Sequence, residues 1–184
     1  MKIISTYPAK IKESSGAFEA TAVLYRQAVD YFIGIMLKHW DKQFASLPNI
    51  NVVTRQTELL CWPTSKRPLT QYDFGKSFYK FPSYLRRAAI SEAYGMVSSY
   101  HTRLKQWKAS PQGKEPGLPK VGRTFPAMYR EVMFKNTTDR YTVRIKVFIR
   151  NTWDWMEVKL RKSDMDCIAK YCPLRKACVP TLRR

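Results

Sequence analysis

The stretch QGKEPGLPKVGRTFP, residues 112–126, divides the sequence into two parts of different apolar periodicity. Its three prolines cannot donate a backbone hydrogen bond and its three glycines tolerate positive φ, so we expect neither a helix nor a central strand here. Apolar residues recur at helical spacing before this stretch and alternate at strand spacing after it. The pattern predicts an α+β protein with a connecting loop that also carries the basic residues Lys114, Lys120 and Arg123.

The composition is strongly basic, with 33 lysines and arginines against 14 aspartates and glutamates and a net charge of +19 at pH 7. The chain is long enough to form a core, and 45% hydrophobic and 14% aromatic residues argue against disorder. A compact body with this excess charge repels itself, which favours a polyanionic partner. Nucleic acid is the leading candidate, and a membrane surface is the alternative.

The membrane alternative has little support in the sequence. No apolar run reaches the length of about 18 residues that a membrane-spanning helix needs, and the first residues lack the apolar core of a signal peptide. We therefore expect a cytoplasmic protein without a membrane partner.

The cysteines and histidines do not have the spacing of a metal site. No Cys-x-x-Cys pair occurs, and the two histidines are far from the cysteines in sequence, whereas zinc sites usually take two ligands from one tight turn. We predict reduced structural thiols in preference to a metal site, and no cofactor. The residues concerned are Cys61, Cys167, Cys172, Cys178, His39 and His101.

Before the loop, the sequence predicts one strand and three amphipathic helices. The strand covers residues 2–11, where Pro8 restricts it to a sheet edge or a bulge. Residues 17–44 and 84–108 have apolar residues at steps of three or four, and a helix over residues 51–60 is expected to stop before Pro63. Asn49 or Asn51 is the expected cap of the second helix.

After the loop, alternation predicts three strands, over residues 131–135, 141–150 and 155–161. The last two are expected to pair as an antiparallel hairpin with a turn around Asn151 and Thr152. Ser163 and Asp166 match a capping-box pattern, so a short helix is expected over residues 164–171.

Basic residues on three predicted surfaces are candidates for nucleic-acid binding. Strand alternation places Arg144, Lys146, Phe148 and Arg150 on one sheet face, a combination suited to phosphate contacts and base stacking. An ordinary solvated basic surface is the alternative for this set, for the loop residues, and for a third set on the helix predicted over residues 84–108. The helix set comprises Arg86, Arg87, Arg103 and Lys105.

The sequence shows no catalytic set. A two-metal nuclease needs several carboxylates converging on divalent ions about 4 Å apart, whereas the acidic residues here are scattered. No P-loop, paired nucleophile and base, or Gly-x-Gly-x-x-Gly motif is found. We therefore expect no enzymatic activity from this chain on its own.

Several motifs occur in an order that suggests a family: YDF at residues 72–74, FPSYLRR at 81–87, GKEPGLP at 113–119, FKN at 134–136 and WDW at 153–155. With them, the chain resembles the N-terminal half of TnpB, the OrfB-type insertion-sequence protein, and more distantly the related type V CRISPR effectors. The resemblance covers nearly the whole chain. It implies an oligonucleotide-binding-like wedge β-barrel, complete or lacking its closing strand, that is interrupted by a helical recognition insert. Residues 1–12 and 111–184 would form the wedge, and residues 13–110 the recognition domain.

Proteins of that family are RNA-guided DNA endonucleases, in which base pairing supplies sequence choice and the protein recognises shape and charge. The resemblance implies binding of guide RNA, of an RNA–DNA heteroduplex and of a short motif beside the target. The family's RuvC-like domain and zinc element would follow residue 184, so the expected function is non-catalytic nucleic-acid binding. The alternatives are a subunit of a split nuclease whose RuvC-like half is a separate chain, and an unrelated basic RNA- or DNA-binding regulator.

Overall fold

The computed structural model of the protein describes residues 7–13, 15–122, 124–171 and 180–182. The chain divides into two compact units, one comprising Met1–Thr21 with Ala127–Arg184 and the other Ala22–Pro126. The first holds the sheet and the second most of the helices, which confirms the α+β class. The wedge and recognition domains, with their boundaries after residues 12 and 110, stay predictions.

The three helices predicted before the loop are confirmed. Asn49 caps the second of them, because its Oδ1 accepts hydrogen bonds from the backbone nitrogens of Asn51 and Val52, each at 3.1 Å. The first helix continues into one π-helical turn, Trp40–Phe44. The helices up to residue 122 are α1 Gly16–His39, α2 Ile50–Cys61, α3 Phe74–Ser77 and α4 Ser83–Ala109.

Aromatic rings form much of the core of the helical unit. Phe74, on the one-turn helix α3, stacks on Phe32 of α1 at 5.0 Å and on Phe78 at 4.6 Å between ring centroids. Phe81 meets both Phe74 and Phe78 edge to face. All four rings are buried, so the aromatic residues of α1 serve the core as the helical periodicity predicts.

The loop at residues 112–126 has the expected irregular backbone. Its described residues form neither helix nor strand, and Gly113 takes φ 69°, a left-handed conformation that favours glycine. Trp107, near the end of α4, donates from Nε1 to the Gly113 carbonyl at 3.3 Å. This contact holds the start of the loop against the helix before it.

The sheet of the first unit has three antiparallel strands in the order β1 Phe134–Asn136, β2 Thr142–Ile149 and β3 Thr152–Lys159. Val143, Ile145, Val147 and Val158 are buried on one face, as the alternation of β2 predicts. The described strands form an open sheet. The closed oligonucleotide-binding-like barrel stays a prediction.

The strand boundaries required three corrections. The strand predicted over residues 131–135 exists but starts later, because Glu131 has φ 63° in a turn and pairing begins only at Phe134. The hairpin turn lies at Arg150 and Asn151, with φ 49° and 57°, one residue earlier than the predicted turn around Asn151 and Thr152. Arg150 and Asn151 are the two left-handed residues of a type I′ turn, so β3 starts early enough to include Asp154.

Two further predictions changed at the ends of the sheet unit. Of the opening strand, residues 2–6 lie outside the described part, and residues 7–11 form only a bridge between Ile11 and Leu160. Helix α5, Lys162–Tyr171, begins before Ser163, so Ser163 is not its cap. Instead, the Asp164 carboxylate accepts from the Lys10 backbone nitrogen at 2.9 Å and from Arg161 Nε at 2.9 Å.

None of the helices in the described ranges combines the length and apolar character required to span a lipid bilayer.

Candidate nucleic-acid interface

The register of the β2–β3 hairpin brings polar and aromatic side chains together on the face opposite the core. Arg144 pairs with Glu157, Lys146 with Trp155 and Phe148 with Trp153. Residues directly opposite each other in antiparallel strands share a face, and Lys135 of β1 joins this face opposite Arg144. Trp153, at the end of this face, is only 9% exposed and belongs to the core. We call the other residues the basic face: Lys135, Arg144, Lys146, Phe148, Trp155 and Glu157.

A tryptophan ring flanked by two lysines lies in the middle of the basic face. Lys135 Nζ is 4.6 Å and Lys146 Nζ is 5.8 Å from the centroid of the Trp155 ring. Trp155 and Lys146 are both half-buried. A cation–π contact at such a site contributes only about 0.5–1 kcal/mol, so either ammonium group can move to an incoming phosphate at low cost.

The one acidic side chain among these residues is paired. Arg144 Nε lies 3.3 Å from Glu157 Oε2, and the two side chains are 59% and 55% exposed. Exposed ion pairs contribute roughly 0–1 kcal/mol, so a phosphate can compete with Glu157 for the guanidinium group. Arg144 therefore remains available as a phosphate contact.

Phe148 and Arg150 differ from the sequence prediction in their surroundings. Phe148 is half-buried, with its ring 5.6 Å from that of Trp153 in an edge-to-face contact. Its backbone nitrogen donates to Thr21 Oγ1 at 2.8 Å. The placement of Arg150 on the strand face is wrong, because it is the first residue of the hairpin turn, where strand alternation has ended. Base stacking on Phe148 stays a prediction.

The helix set predicted for binding separates into buried and exposed members. Arg86 is only 6% exposed, with its guanidinium carbon 3.8 Å from the centroid of Trp62 and Nη2 2.8 Å from Glu58 Oε1. The prediction that Arg86 contacts nucleic acid is therefore corrected: its charge is already neutralised inside the helical unit. Arg87 is 54% exposed and its Nε lies 3.6 Å from the same Glu58 oxygen.

The remaining predicted residues are on the surface of the helical unit or outside the described part. Arg103 is exposed and its Nε donates to the Ser99 carbonyl at 3.3 Å, and Lys105 is also exposed. Lys114 and Lys120 are exposed on the loop, and Lys120 lines an open groove of about 520 Å³ with Arg26 and Asp30 of α1. Arg123 lies outside the described residues.

The pKa values of two buried or half-buried groups, Cys61 and Tyr31, are raised. Burial raises the pKa of the Cys61 thiol to about 12, against the opposing effect of Arg86, so Cys61 is protonated at neutral pH. Burial also raises the pKa of Tyr31 to about 12. Within the described ranges, no three His, Cys, Asp or Glu side chains are grouped as metal ligands.

Sequence reasoning missed two members of the basic face, Trp155 and Lys135. The signal for Trp155 was the position of the hairpin turn, because a turn at residues 150 and 151 puts Trp155 opposite Lys146. The signal for Lys135 was weaker, because β1 has only three residues.

The fold and this surface define an α+β protein with a basic, aromatic-bearing sheet face. The model of the Aq_aa04 family matches residues 5–149, and the chain belongs to that family. It is similar to the uncharacterized protein aq_aa04 of Aquifex aeolicus (strain VF5), with 27% identity over 145 residues that cover 67% of this chain and 80% of that protein. No solved structure matches the chain. The match includes Lys135, Arg144 and Lys146, whereas Trp155 lies beyond it.

Proposed function

We propose that this protein binds nucleic acid through the basic face of its sheet. The observation that carries the proposal is the half-buried Trp155 ring with the ammonium groups of Lys135 and Lys146 at 4.6 and 5.8 Å. An aromatic ring beside cations suits a nucleotide, because a base stacks on the ring and its phosphate pairs with the ammonium groups. The net charge of +19 supports a polyanionic partner of considerable size.

The finer proposal is that the chain is the non-catalytic part of a TnpB-like RNA-guided DNA endonuclease. It rests on the ordered motifs, above all FPSYLRR at residues 81–87 and GKEPGLP at 113–119. In this proposal the chain holds guide RNA and the RNA–DNA heteroduplex and reads the motif beside the target. Cleavage belongs to a RuvC-like domain, which a separately encoded chain would supply if the nuclease is split.

Salt dependence tests the nucleic-acid proposal. Each phosphate contact lowers the slope of log K against log salt concentration by about 0.7 on single strands and about 0.9 on duplex DNA. We expect steep weakening of binding with salt, and a slope reduced by about 1.5 in the double variant Arg144→Ala, Lys146→Ala if both contact phosphate. Binding measured by fluorescence anisotropy between 50 mM and 300 mM salt gives this slope.

The matched control removes two positive charges elsewhere. Lys42 and Lys66 are exposed and lie outside every predicted binding set. The variant Lys42→Ala, Lys66→Ala should keep the wild-type slope within about 0.3, since neither lysine is expected to contact phosphate. Equal slopes for the two double variants would show that binding follows net charge alone and would remove the basic face from the proposal.

The identity of the copurifying nucleic acid tests the finer proposal. Sequencing should recover one structured RNA encoded beside the gene if the chain holds a guide. Equal affinity for unstructured RNA, duplex DNA and that RNA would favour a basic regulator. A neighbouring reading frame with a RuvC-like sequence and a zinc element would favour the split nuclease.

A further inference from the structure

Tyr79 lies in a short turn of the helical unit with 70% of its surface exposed. The residues that anchor this turn are aromatic and buried, since Phe78 and Phe81 are only 7% and 4% exposed. The Phe78 nitrogen donates to the Phe74 carbonyl at 2.8 Å, and the Phe81 nitrogen donates to the Phe78 carbonyl at 3.2 Å. Two buried rings and two backbone hydrogen bonds therefore hold a third ring in solvent.

Lys80 takes an unusual backbone conformation beside this ring. Its φ is 53°, in the left-handed region that residues other than glycine seldom adopt. Lys80 Nζ lies 5.1 Å from the centroid of the Tyr79 ring. Strain of this kind persists only where the surrounding structure fixes it, and here it leaves a cation and an aromatic ring exposed side by side.

The charge around the turn favours an anionic partner. No acidic residue occurs between Asp73 and Glu92, whereas Lys76, Lys80, Arg86 and Arg87 lie in this interval. Two of these cations, Arg86 and Arg87, face Glu58, and the side chains of Lys76 and Lys80 are exposed. An exposed ring beside cations matches a nucleotide, which has a flat base and a phosphate close to it.

We propose that Tyr79 and Lys80 form a stacking site for an unpaired nucleotide of single-stranded RNA or DNA. The base stacks on the Tyr79 ring and the adjoining phosphate pairs with the Lys80 ammonium group. A base inside a duplex has both faces covered by its neighbours, so the site selects unpaired nucleotides. The site consists of residues of the helical unit alone and is independent of the basic face.

Binding to three probes tests this inference: a 12-nucleotide oligouridine, a 12-nucleotide oligothymidine and a 12-base-pair DNA duplex. All variants are made on the Trp155→Ala background, so that the basic face does not mask the effect. Tyr79→Ala should weaken binding of both single strands about tenfold and leave duplex binding unchanged, since stacking of one base is lost. Tyr79→Phe should bind as well as the background protein, because the ring is retained.

Leu69→Ala is the matched control, since Leu69 is 86% exposed and its side chain has neither an aromatic ring nor a charge. It should change no affinity. Equal affinities of Tyr79→Ala and the background protein for both single strands would overturn the proposal, as would equal weakening for all three probes. A loss with only one of the two single strands would restrict the site to that sugar.

Photocrosslinking gives a readout that a structural role of Tyr79 would not produce. A strand carrying 5-iodouracil should crosslink to the peptide that contains Tyr79, as identified by mass spectrometry. A crosslink found only on other peptides would overturn the inference. If Tyr79→Ala weakens binding while Trp155→Ala alone does not, the Tyr79 site is supported and binding by the basic face is rejected. If Trp155→Ala weakens binding while Tyr79→Ala has no further effect, the Tyr79 site is rejected and the proposed function is kept. Absence of any binding by the wild-type protein would reject both.

Discussion

Arg86 and Lys146 are both cations beside a tryptophan ring, but Arg86 is buried and Lys146 is only half-buried. The Arg86 guanidinium carbon lies 3.8 Å from the Trp62 ring centroid and the residue is 6% exposed. Lys146 shares the Trp155 ring with Lys135 at the surface of the sheet. Burial makes the first cluster part of the fold, because a buried charge must keep its partner. The second cluster is only half-buried, so its lysines can exchange partners.

The largest effect is expected from breaking the buried cluster. Arg86→Ala leaves the half-buried Glu58 without its closest cation, and loss of one partner of a buried pair costs about 3 kcal/mol of unfolding free energy. Urea denaturation followed by circular dichroism measures this loss. Arg87→Ala, which removes the exposed cation facing the same carboxylate, is the control and should cost less than about 1 kcal/mol. Loss of nucleic-acid affinity in Arg86→Ala without loss of stability would restore a binding role for Arg86.

The second effect concerns the half-buried Trp155 of the basic face. Trp155→Ala should weaken single-strand binding about tenfold, because stacking on an aromatic ring contributes about 1–3 kcal/mol per base. Trp155→Phe should retain most of the affinity, and both variants should unfold at similar urea concentrations. Anisotropy titrations against oligouridine give the affinities. A large loss of stability with unchanged binding would instead make Trp155 a structural residue like Trp62.

A smaller gain is expected from Glu157→Gln. The change removes the carboxylate that competes for Arg144, so affinity for nucleic acid should rise about threefold, within the range of an exposed ion pair. Titrations at low salt are the most sensitive measurement, since higher salt concentrations screen surface charges. Glu131→Gln, which removes an equally exposed carboxylate paired with Arg130, is the charge-matched control and should have no comparable effect. Equal gains in the two variants would attribute the change to net charge.

The smallest effect concerns His101, whose ring stacks on Trp40 with centroids 4.6 Å apart and planes at 4°. Burial, with Lys108 acting in the same direction and Asp41 opposing it, lowers the pKa of His101 from its usual 6.5. The unfolded chain therefore binds the proton more readily, so the stability from this ring is fully present above pH 6.5 and falls as the pH drops below it. Unfolding free energies at pH 7.5 and 5.5 should differ slightly in the wild type.

The control for His101 is His101→Phe, which keeps a ring but cannot titrate. Its unfolding free energy should not show this difference between the two pH values. The carboxylates of Asp139 and Asp164 do not interfere, because hydrogen bonds from Thr142 and from Arg161 lower their pKa values below 3.8. An equal pH dependence in wild type and variant would assign the titration to another group.

Periodicity predicted the parts of the fold that local patterns decide. Helices α1 and α4 follow from apolar residues at steps of three or four. Helix α2 begins after Asn49, because asparagine is a favoured N-cap residue. The inward face of β2 follows from alternation, because Val143, Ile145 and Val147 can be buried only together. The exposed Arg144 and the half-buried Lys146 of the candidate site were found in the same way.

The register of the strands and the burial of individual cations could not be predicted from periodicity. The turn at Arg150 and Asn151 contains no glycine, so the sequence located it only to within one residue, and the partner of Lys146 stayed unknown. Arg86 lies next to Leu85 at the edge of the apolar stripe of α4, where periodicity does not distinguish a buried residue from an exposed one. The positions of Glu58 and Trp62 in the folded protein decide that Arg86 is buried.

By itself, the sequence determined the α+β class, the loop at residues 112–126 and the net charge of +19. These properties depend on composition and on periodicities of two or about 3.6 residues, which are local. Tertiary structure alone decided which cations are neutralised and which are exposed. Glu58 reaches Arg86 across 28 positions in the chain, and Trp155 reaches Lys146 only through strand register, so these pairings depend on packing between distant segments.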